Sequence, residues 1–414
     1  MSISIIGIVN FPLISVKLFL EYMHIGYAGP VSLDLLNFDW KQFGAIPTGY
    51  PFPMAAFFVN GLMKKGHNVT VFTTSEGLDI PVTLKSDKLS ICIARREAHA
   101  ARDFFSSERE GLIELMSRNP VDILNAHWTY EFALAGLKMP VPVVITVHDY
   151  ALKILYYKFR EKPGFNEFMH WVVRFLMNNK TLRKGKHFVA VSEYLYNTLS
   201  QRKKNKSVII NDFFDEESSE LKYEPRTKDN YIVSVCNGFG YTKNIQNAII
   251  AFSIFRKKNK DIRYHLIGTG MEPDGPACQF AKKNDLLDGI DFMGFLSYDM
   301  AVKENAGSLV NLHSSREESF GMSVLESQIF GTVVIGGLKS GNIPYLLEHG
   351  EAGILCNIED PNDIAAKLEI CVKDDKLRNR IEDYARSRAY EKFSSSIIID
   401  KYITLFLNIL KQES

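Results

Sequence analysis

Short apolar runs rich in β-branched residues alternate along most of the chain with longer stretches whose apolar residues recur at helical spacing. This is the pattern of parallel strands joined by crossover helices. In the first half it predicts strands at 3–9, 68–74, 121–126, 143–147, 188–191 and 208–210, and in the second at 231–236, 264–267, 291–293, 308–312, 332–335 and 353–355. Each set is enough for its own sheet, so the fold class is α/β, with two doubly wound parallel sheets facing a cleft. A polar, acidic, proline-containing stretch at 212–230 lies between the sets and reads as a linker. The domains then cover 1–211 and 231–389. The last stretch, 390–414, carries Phe393, Ile397, Ile398, Tyr402, Phe406 and Leu410 on or near one face of a long amphipathic helix. The pattern leaves open which surface it covers, a return to the N-terminal domain being one solution.

Composition narrows the class. A chain of 414 residues is too long for one ordinary core, and 46% hydrophobic with 23% charged residues describes a folded protein rather than a disordered or fibrous one. Five cysteines are scattered without a CxxC pair, which fits neither a disulfide framework nor a zinc site and points to a reducing cytoplasm. The first residues lack a basic region and read as a buried strand instead of a signal peptide, and no window holds the ~20 uninterrupted apolar residues of a membrane span. The net charge of +1 hides an asymmetry, because residues 151–210 hold thirteen lysines and arginines against three acids. Within 151–186 those charges interleave with Leu152, Tyr156, Phe165, Phe168, Trp171 and Leu176. Such a mixture suits the headgroup boundary of an anionic membrane at its inner, cytoplasmic face, with packing on the N-terminal sheet as the competing account. Nucleic acid is a poorer target, since no reading motif accompanies the charges.

The chemistry concentrates in 311–331. A strand ends near His313, a carboxylate follows at Glu318, Gly321 permits a close turn, and a helix begins with a second carboxylate at Glu326. Helix N-terminal amides beside a glycine turn attract phosphate oxygens, and ionised acids accept hydrogen bonds from sugar and ribose hydroxyls. A lone pair of acids at this spacing is also what a solvated surface loop would show. In the first half, His148 and Asp149 stand at the carboxyl end of a buried strand, and His127 ends the preceding one.

The 311–331 segment resembles the E-x7-E signature of the family 4 retaining glycosyltransferases, matching at Glu318, Phe320, Gly321, Leu325 and Glu326. Gly341, Pro344, Gly350, Gly353 and Leu355 extend the likeness, with Asn342 and Tyr345 departing from it. The resemblance implies the two-Rossmann-domain GT-B fold and transfer from a nucleoside diphosphate sugar to a glycan or lipid-linked acceptor, as in polysaccharide or glycolipid synthesis. It places Glu318 on the donor sugar, Glu326 on the ribose, and Phe320, Gly321 and Met322 beside them. His148 becomes the strand-end histidine that touches the donor sugar. Lys243 fits the family's diphosphate lysine, Asn237 stands where an arginine is usual, and Arg316 is a candidate to supply the missing charge. Gly268 belongs to the next glycine turn, near the nucleotide. Gly49 and Tyr50 fall where the acceptor-side phosphate loop normally has two glycines. The chain contains no Asp-x-Asp, the pair with which another transferase class holds a metal on the diphosphate, so no metal or other cofactor is expected. A nucleotide-sugar epimerase of the same fold, or a relative that binds the nucleotide sugar without catalysis, are the alternative readings.

Overall fold

The computed structural model describes residues 22–42, 46–47, 50–97, 100–161, 163–217 and 228–413. Among them the first half forms β1 (His24–Ala28), β2 (Asn68–Ser75), β3 (Val82–Lys85), β4 (Leu89–Arg95), β5 (Ile123–His127), β6 (Val143–Val147), β7 (His187–Ala190) and β8 (Ser207–Ile209). Their order is β3-β4-β2-β1-β5-β6-β7-β8, parallel apart from the β3–β4 hairpin. The second half forms β9 (Tyr231–Val235), β10 (Arg263–Ile267), β11 (Ile290–Gly294), β12 (Val310–His313), β13 (Val333–Gly337) and β14 (Ile354–Cys356), ordered β11-β10-β9-β12-β13-β14 and parallel throughout. Strand order reverses between β1 and β5 in one sheet and between β9 and β12 in the other. Ligands of open α/β sheets bind at the carboxyl ends of such strands.

Each sheet has its own core, because a parallel sheet is buried on both faces by its crossover helices. The N-terminal core joins Ile25, Val69, Ile91 and Val144 to Leu62 and Phe406. The C-terminal one joins Ile232, Leu266, Val310 and Ile335 to Phe252 and Leu368. Phe406 arrives from the final helix, Ser395–Glu413, which packs on the helix Pro53–Lys64 of the first domain. The approach is tight enough that a Cβ on Gly61 would lie 2.1 Å from the Ile399 side chain.

Three sequence expectations need correcting or setting aside. The strand expected at 3–9 lies outside the described residues, as do 218–227 of the linker, and the central strand of the described sheet is β1. The β3–β4 hairpin was not anticipated. The helix expected to run unbroken from Tyr390 is two helices, Asp375–Phe393 and Ser395–Glu413, interrupted at an extended Ser394. The interruption has a cause in the linker: Phe214 bridges Ser394, and its amide bonds Phe393 O at 3.1 Å. The Glu216 carboxylate then accepts from the Ser396 amide and the Ser395 and Ser396 hydroxyls, satisfying donors at the new helix start. The chain thus passes between the domains at two adjacent points.

Candidate active site

At the carboxyl edge of the C-terminal sheet, the turns after β9 and β12 meet. Lys243 Nζ donates to Glu318 Oε1 at 2.7 Å, and His313 Nε2 stands 3.6 Å from the same oxygen. Burial pushes the Glu318 carboxyl up, but Lys243, His313 and a Ser315 hydrogen bond outweigh it and hold Glu318 below its ordinary range. Burial likewise opposes the charge on Lys243, and Glu318 overcomes it, so the lysine titrates higher than usual. The buried His313 ring, 4% exposed, is lowered to about 4 and stays neutral. The result is a part-buried ion pair beside a buried, neutral imidazole.

The backbone around the pair is held by glycines and by a departure from the family pattern. Gly321, at φ +108°, caps the helix Met322–Ile329 and leaves its first amides facing the turn. A Cβ on Gly341 would lie 2.2 Å from Glu318 O. Asn342, where the family has a second glycine, donates from its backbone to Glu318 O at 2.9 Å and from its side chain to Phe320 O at 3.0 Å. Asn237 has a similar use: its Oδ1 accepts from the Thr269 amide at 3.2 Å and bridges the 236–238 and 268–270 turns. Gly268, at φ +120°, lies there so closely against Cys236 O that no side chain fits.

Not every residue expected here is available. Arg316, the candidate for the missing charge, makes a bidentate pair with Glu359 at 2.7 and 2.8 Å and stacks on the Tyr241 ring at 4.0 Å, so its charge is already engaged. Phe320 packs inward, edge-on to Phe393 at 5.5 Å, and supports the turn as core. Glu326, on the helix capped by Gly321, is hydrogen-bonded by Tyr298, whose hydroxyl burial and this carboxylate hold well above its ordinary value. Met322 opens that helix. Gly49 lies outside the described residues, while Tyr50 is half-exposed, 6.3 Å edge-on from Trp128.

The facing edge, at the ends of β5 and β6, carries a chain of hydrogen bonds that sequence reasoning saw only as two separate histidines. Asn125 Nδ2 donates to Val144 O and Thr146 Oγ1, which leaves Oδ1 to accept from His127 Nε2 at 2.9 Å. Burial, with the nearby His148, holds His127 well below its ordinary pKa, so its bare Nδ1 accepts from His148 Nε2 at 2.8 Å. The second His148 nitrogen faces Asp212 at 3.6 Å. Both nitrogens of His148 therefore look at protein partners, and its side chain is only 6% exposed. Asp149 turns the other way: Tyr130 donates to Oδ2 at 2.8 Å, and burial raises the carboxyl.

The two edges touch through residues the motifs did not single out. Tyr194 Oη donates to Glu317 Oε1 at 2.5 Å, and Ser192 Oγ donates to Ser319 O at 2.5 Å, on either side of Glu318. Glu161 Oε1 accepts from the Thr242 amide and hydroxyl at 3.3 and 3.2 Å, immediately before Lys243. Only the adjacency of Glu317 to Glu318 in the sequence hinted at this, since pairing across a cleft leaves no local periodicity.

Comparison with known proteins agrees with this architecture. The family model for glycosyl transferases group 1 matches residues 215–388, and that for glycosyltransferase family 4 matches 55–218. N-acetyl-alpha-D-glucosaminyl L-malate synthase of Bacillus anthracis is 26% identical over 318 residues, 73% of this chain and 78% of its own. The capsular polysaccharide biosynthesis glycosyltransferase CapM of Staphylococcus aureus is 26% identical over 48% of this chain and 51% of its own. The structure of Anabaena HepE in complex with UDP-glucose superposes with a TM-score of 0.65 at 14% identity, covering 94% of this chain and 100% of the other. Two parallel-sheet domains, the first matched by the family 4 model and the second by the group 1 model, establish that the chain belongs to the family 4 glycosyltransferases of the GT-B fold.

Proposed function

We propose that this enzyme transfers a sugar from a nucleoside diphosphate donor, without a metal and with retention of the donor's anomeric configuration. The donor lies against the domain 231–389, and the acceptor against 1–211. The Lys243–Glu318 pair beside neutral His313 carries the reading, because it offers a cation for a diphosphate and a carboxylate for sugar hydroxyls. Glu326 serves the ribose, and the amides after Gly321 serve phosphate oxygens. His148, braced by His127, forms the wall opposite the sugar. Retention rests on the family resemblance, and the UDP-glucose held by HepE makes a UDP-sugar the first donor to try. The L-malate in the name of the B. anthracis relative makes a small dicarboxylate one acceptor to test against saccharides. A thermal-shift panel of UDP-, GDP- and ADP-sugars identifies the donor, and transfer is then followed in EDTA. Glu318→Ala should abolish most turnover while the fold survives. Normal transfer by that variant would sink the site, and an inverted product anomer would sink the mechanism.

The acceptor is proposed to be presented at an anionic membrane surface on the cytoplasmic side. Among the described residues no helix is long and apolar enough to cross a membrane. Phe159 and Phe165 are 66% and 77% exposed, with Leu152, Tyr156, Met169 and Leu176 also open on the helices Ala151–Glu161 and Phe165–Lys184. Several of the neighbouring charges have partners within the protein. Lys158 is paired with Glu161 and Glu167, and Arg174 lies 3.8 Å from Glu131. The apolar side chains, more than the charges, support this part of the reading.

A further inference from the structure

The turn 240–243 carries Lys243 into the site, and the two domains hold different parts of it. Its carbonyls are tied to the C-terminal domain: the Arg316 amide donates to Thr242 O at 2.8 Å, the Arg316 guanidinium to Tyr241 O, and Ser314 Oγ to Lys243 O at 2.8 Å. The Thr242 donors go to the N-terminal domain instead. Glu161, at the end of the helix Ala151–Glu161, accepts from both the Thr242 amide and the Thr242 hydroxyl on one oxygen, Oε1. Its other oxygen, Oε2, accepts from Lys158 Nζ at 2.9 Å, one helical turn earlier, which fixes the carboxylate in place. Burial pushes the Glu161 carboxyl up, but Lys158 and Thr242 outweigh it and hold Glu161 below its ordinary range, so the acceptor is an ionised one.

The fit at the turn is close. A Cβ on Gly240 would lie 2.5 Å from Glu161 Oε1, so the carboxylate fills the space that a side chain at 240 would take. The Tyr241 ring receives one guanidinium from each domain, Arg160 at 5.2 Å and Arg316 at 4.0 Å. Lysine is a point charge on a flexible stem, so where its ammonium can reach is set by the backbone from which it starts. Thr242 is the residue immediately before Lys243, and a displacement of about 1 Å at a charge that serves a reacting group is costly. The Glu318 half of the pair has its own crossing contacts, Tyr194 on Glu317 and Ser192 on Ser319. Loss of Glu161 therefore releases the turn of the lysine and leaves that of the glutamate held.

We infer that Glu161 is a positioning residue for the transfer reaction: from the N-terminal domain it sets the turn that aims Lys243 at the diphosphate, and so makes affinity for the diphosphate depend on a contact from the other domain. The inference rests on the transferase reading of the Lys243–Glu318 pair and adds to it a residue outside the donor domain.

Because Lys243 serves the diphosphate, the readout is the gap in affinity between a nucleoside diphosphate and its monophosphate. The full-length protein is titrated by calorimetry with UDP, GDP and ADP, each against UMP, GMP and AMP, and the pair that binds supplies the gap. Glu161→Ala should shrink it about tenfold, the usual worth of a hydrogen bond to a charged group, while monophosphate affinity and the urea midpoint change little. Glu161→Gln keeps an Oε1 acceptor for Thr242 and should restore most of the gap. In a Lys243→Met background, Glu161→Ala should cost no further diphosphate affinity, since it acts through the lysine. Tyr194→Phe, which removes a crossing hydrogen bond on the Glu318 side, should leave the gap nearly unchanged. Should Glu161→Ala unfold, Gly240→Ala keeps Glu161 but pushes its carboxylate off Thr242, with the same loss expected. An unchanged gap in these variants, equal weakening of diphosphate and monophosphate, or a loss in Tyr194→Phe as large as in Glu161→Ala overturns the inference. Failure of the unmodified protein to bind any nucleoside diphosphate overturns the transferase reading instead.

Discussion

The carboxyl edges of the two sheets solve the same problem differently. In the C-terminal domain, opposite charges face one another under a shield: Lys243 on Glu318, with His313 neutral beside them. In the N-terminal domain the charges are held apart, with a hydrogen-bonded relay from Asn125 through His127 to His148 on one side and two incompletely satisfied acids, Glu131 and Asp149, on the other. On the proposed reading, a diphosphate donor brings its own charge and calls for a preset counter-ion, whereas the acceptor side works through shape and hydrogen-bond partners. The first requirement compresses into a short motif, and the second is spread along the sheet edge.

The widest test of that contrast is to remove one charge from the compressed edge. Lys243→Met leaves Glu318 without its counter-ion in a part-buried pair and should destabilise the fold by about 1–3 kcal/mol, less than the roughly 3–5 kcal/mol of a fully buried one. Adding Glu318→Gln in the same chain should recover much of that loss. Urea unfolding of the single and double variants measures it, and additive losses would mean that the pair is not a unit.

The next effect is in pH. His313 is held near 4 when folded, against 6.5 for an unperturbed histidine. Between those values the unfolded chain binds a proton that the folded chain refuses, so stability should fall as pH drops from 6.5 to about 4 and be unaffected above 6.5. The full span corresponds to roughly 3 kcal/mol. Glu318, held below 4.5, adds loss of the same sign at the acid end, and the lowered His127 does so from the other domain. Comparing the chain with His313→Gln isolates the C-terminal share. Parallel stability curves for the two would show that His313 is not the group responsible.

How far these edges could be read in advance follows the same division. The strand, turn and helix around 318–326 were legible because they are local: a strand ends at His313, Gly321 makes the turn, and a helix starts at Met322. Strand β1 was not, since His24–Ala28 carries a polar first residue and a glycine, while a more apolar run at 3–9 competed for the assignment. The break at Ser394 was hidden because apolar spacing continues through it, and its cause, Phe214 and Glu216, lies about 180 residues away. Arg316 reads as a free cation until Glu359 is folded against it. Asn237 and Asn342 read as losses of family residues, and only the fold reveals them as braces for the turns.

A smaller effect is expected when the spread-out edge is cut. His127→Phe keeps the ring volume between Tyr27 and His148 but strands Asn125 Oδ1 and the His148 donor. One unsatisfied buried group costs about 1–3 kcal/mol, so stability should drop by that order. Stabilisation by the nucleotide sugar should stay near normal, because the donor edge is built from other strands. If the variant loses donor binding as completely as Glu318→Ala does, the two edges are not separable and the contrast fails.

The smallest and most condition-dependent effect concerns the surface next to the N-terminal edge. A liposome assay separates its two ingredients, because salt screens charge and leaves apolar burial nearly untouched. Arg183 and Lys184 end the helix Phe165–Lys184, and Lys186 follows. Each contributes at most about 1 kcal/mol near an anionic leaflet, so reversing all three to Glu should weaken co-sedimentation at low salt and change little at high salt. Phe159 and Phe165 are exposed on the same surface, and burying an aromatic ring in the interface is worth roughly 1.5–3 kcal/mol. Phe159→Ser with Phe165→Ser should therefore reduce binding at both salt concentrations and more than the charge reversal does. The opposite ranking would return the attachment to electrostatics. Absence of sedimentation with any anionic vesicle would leave the exposed rings without a membrane role and favour a soluble acceptor for the same edge.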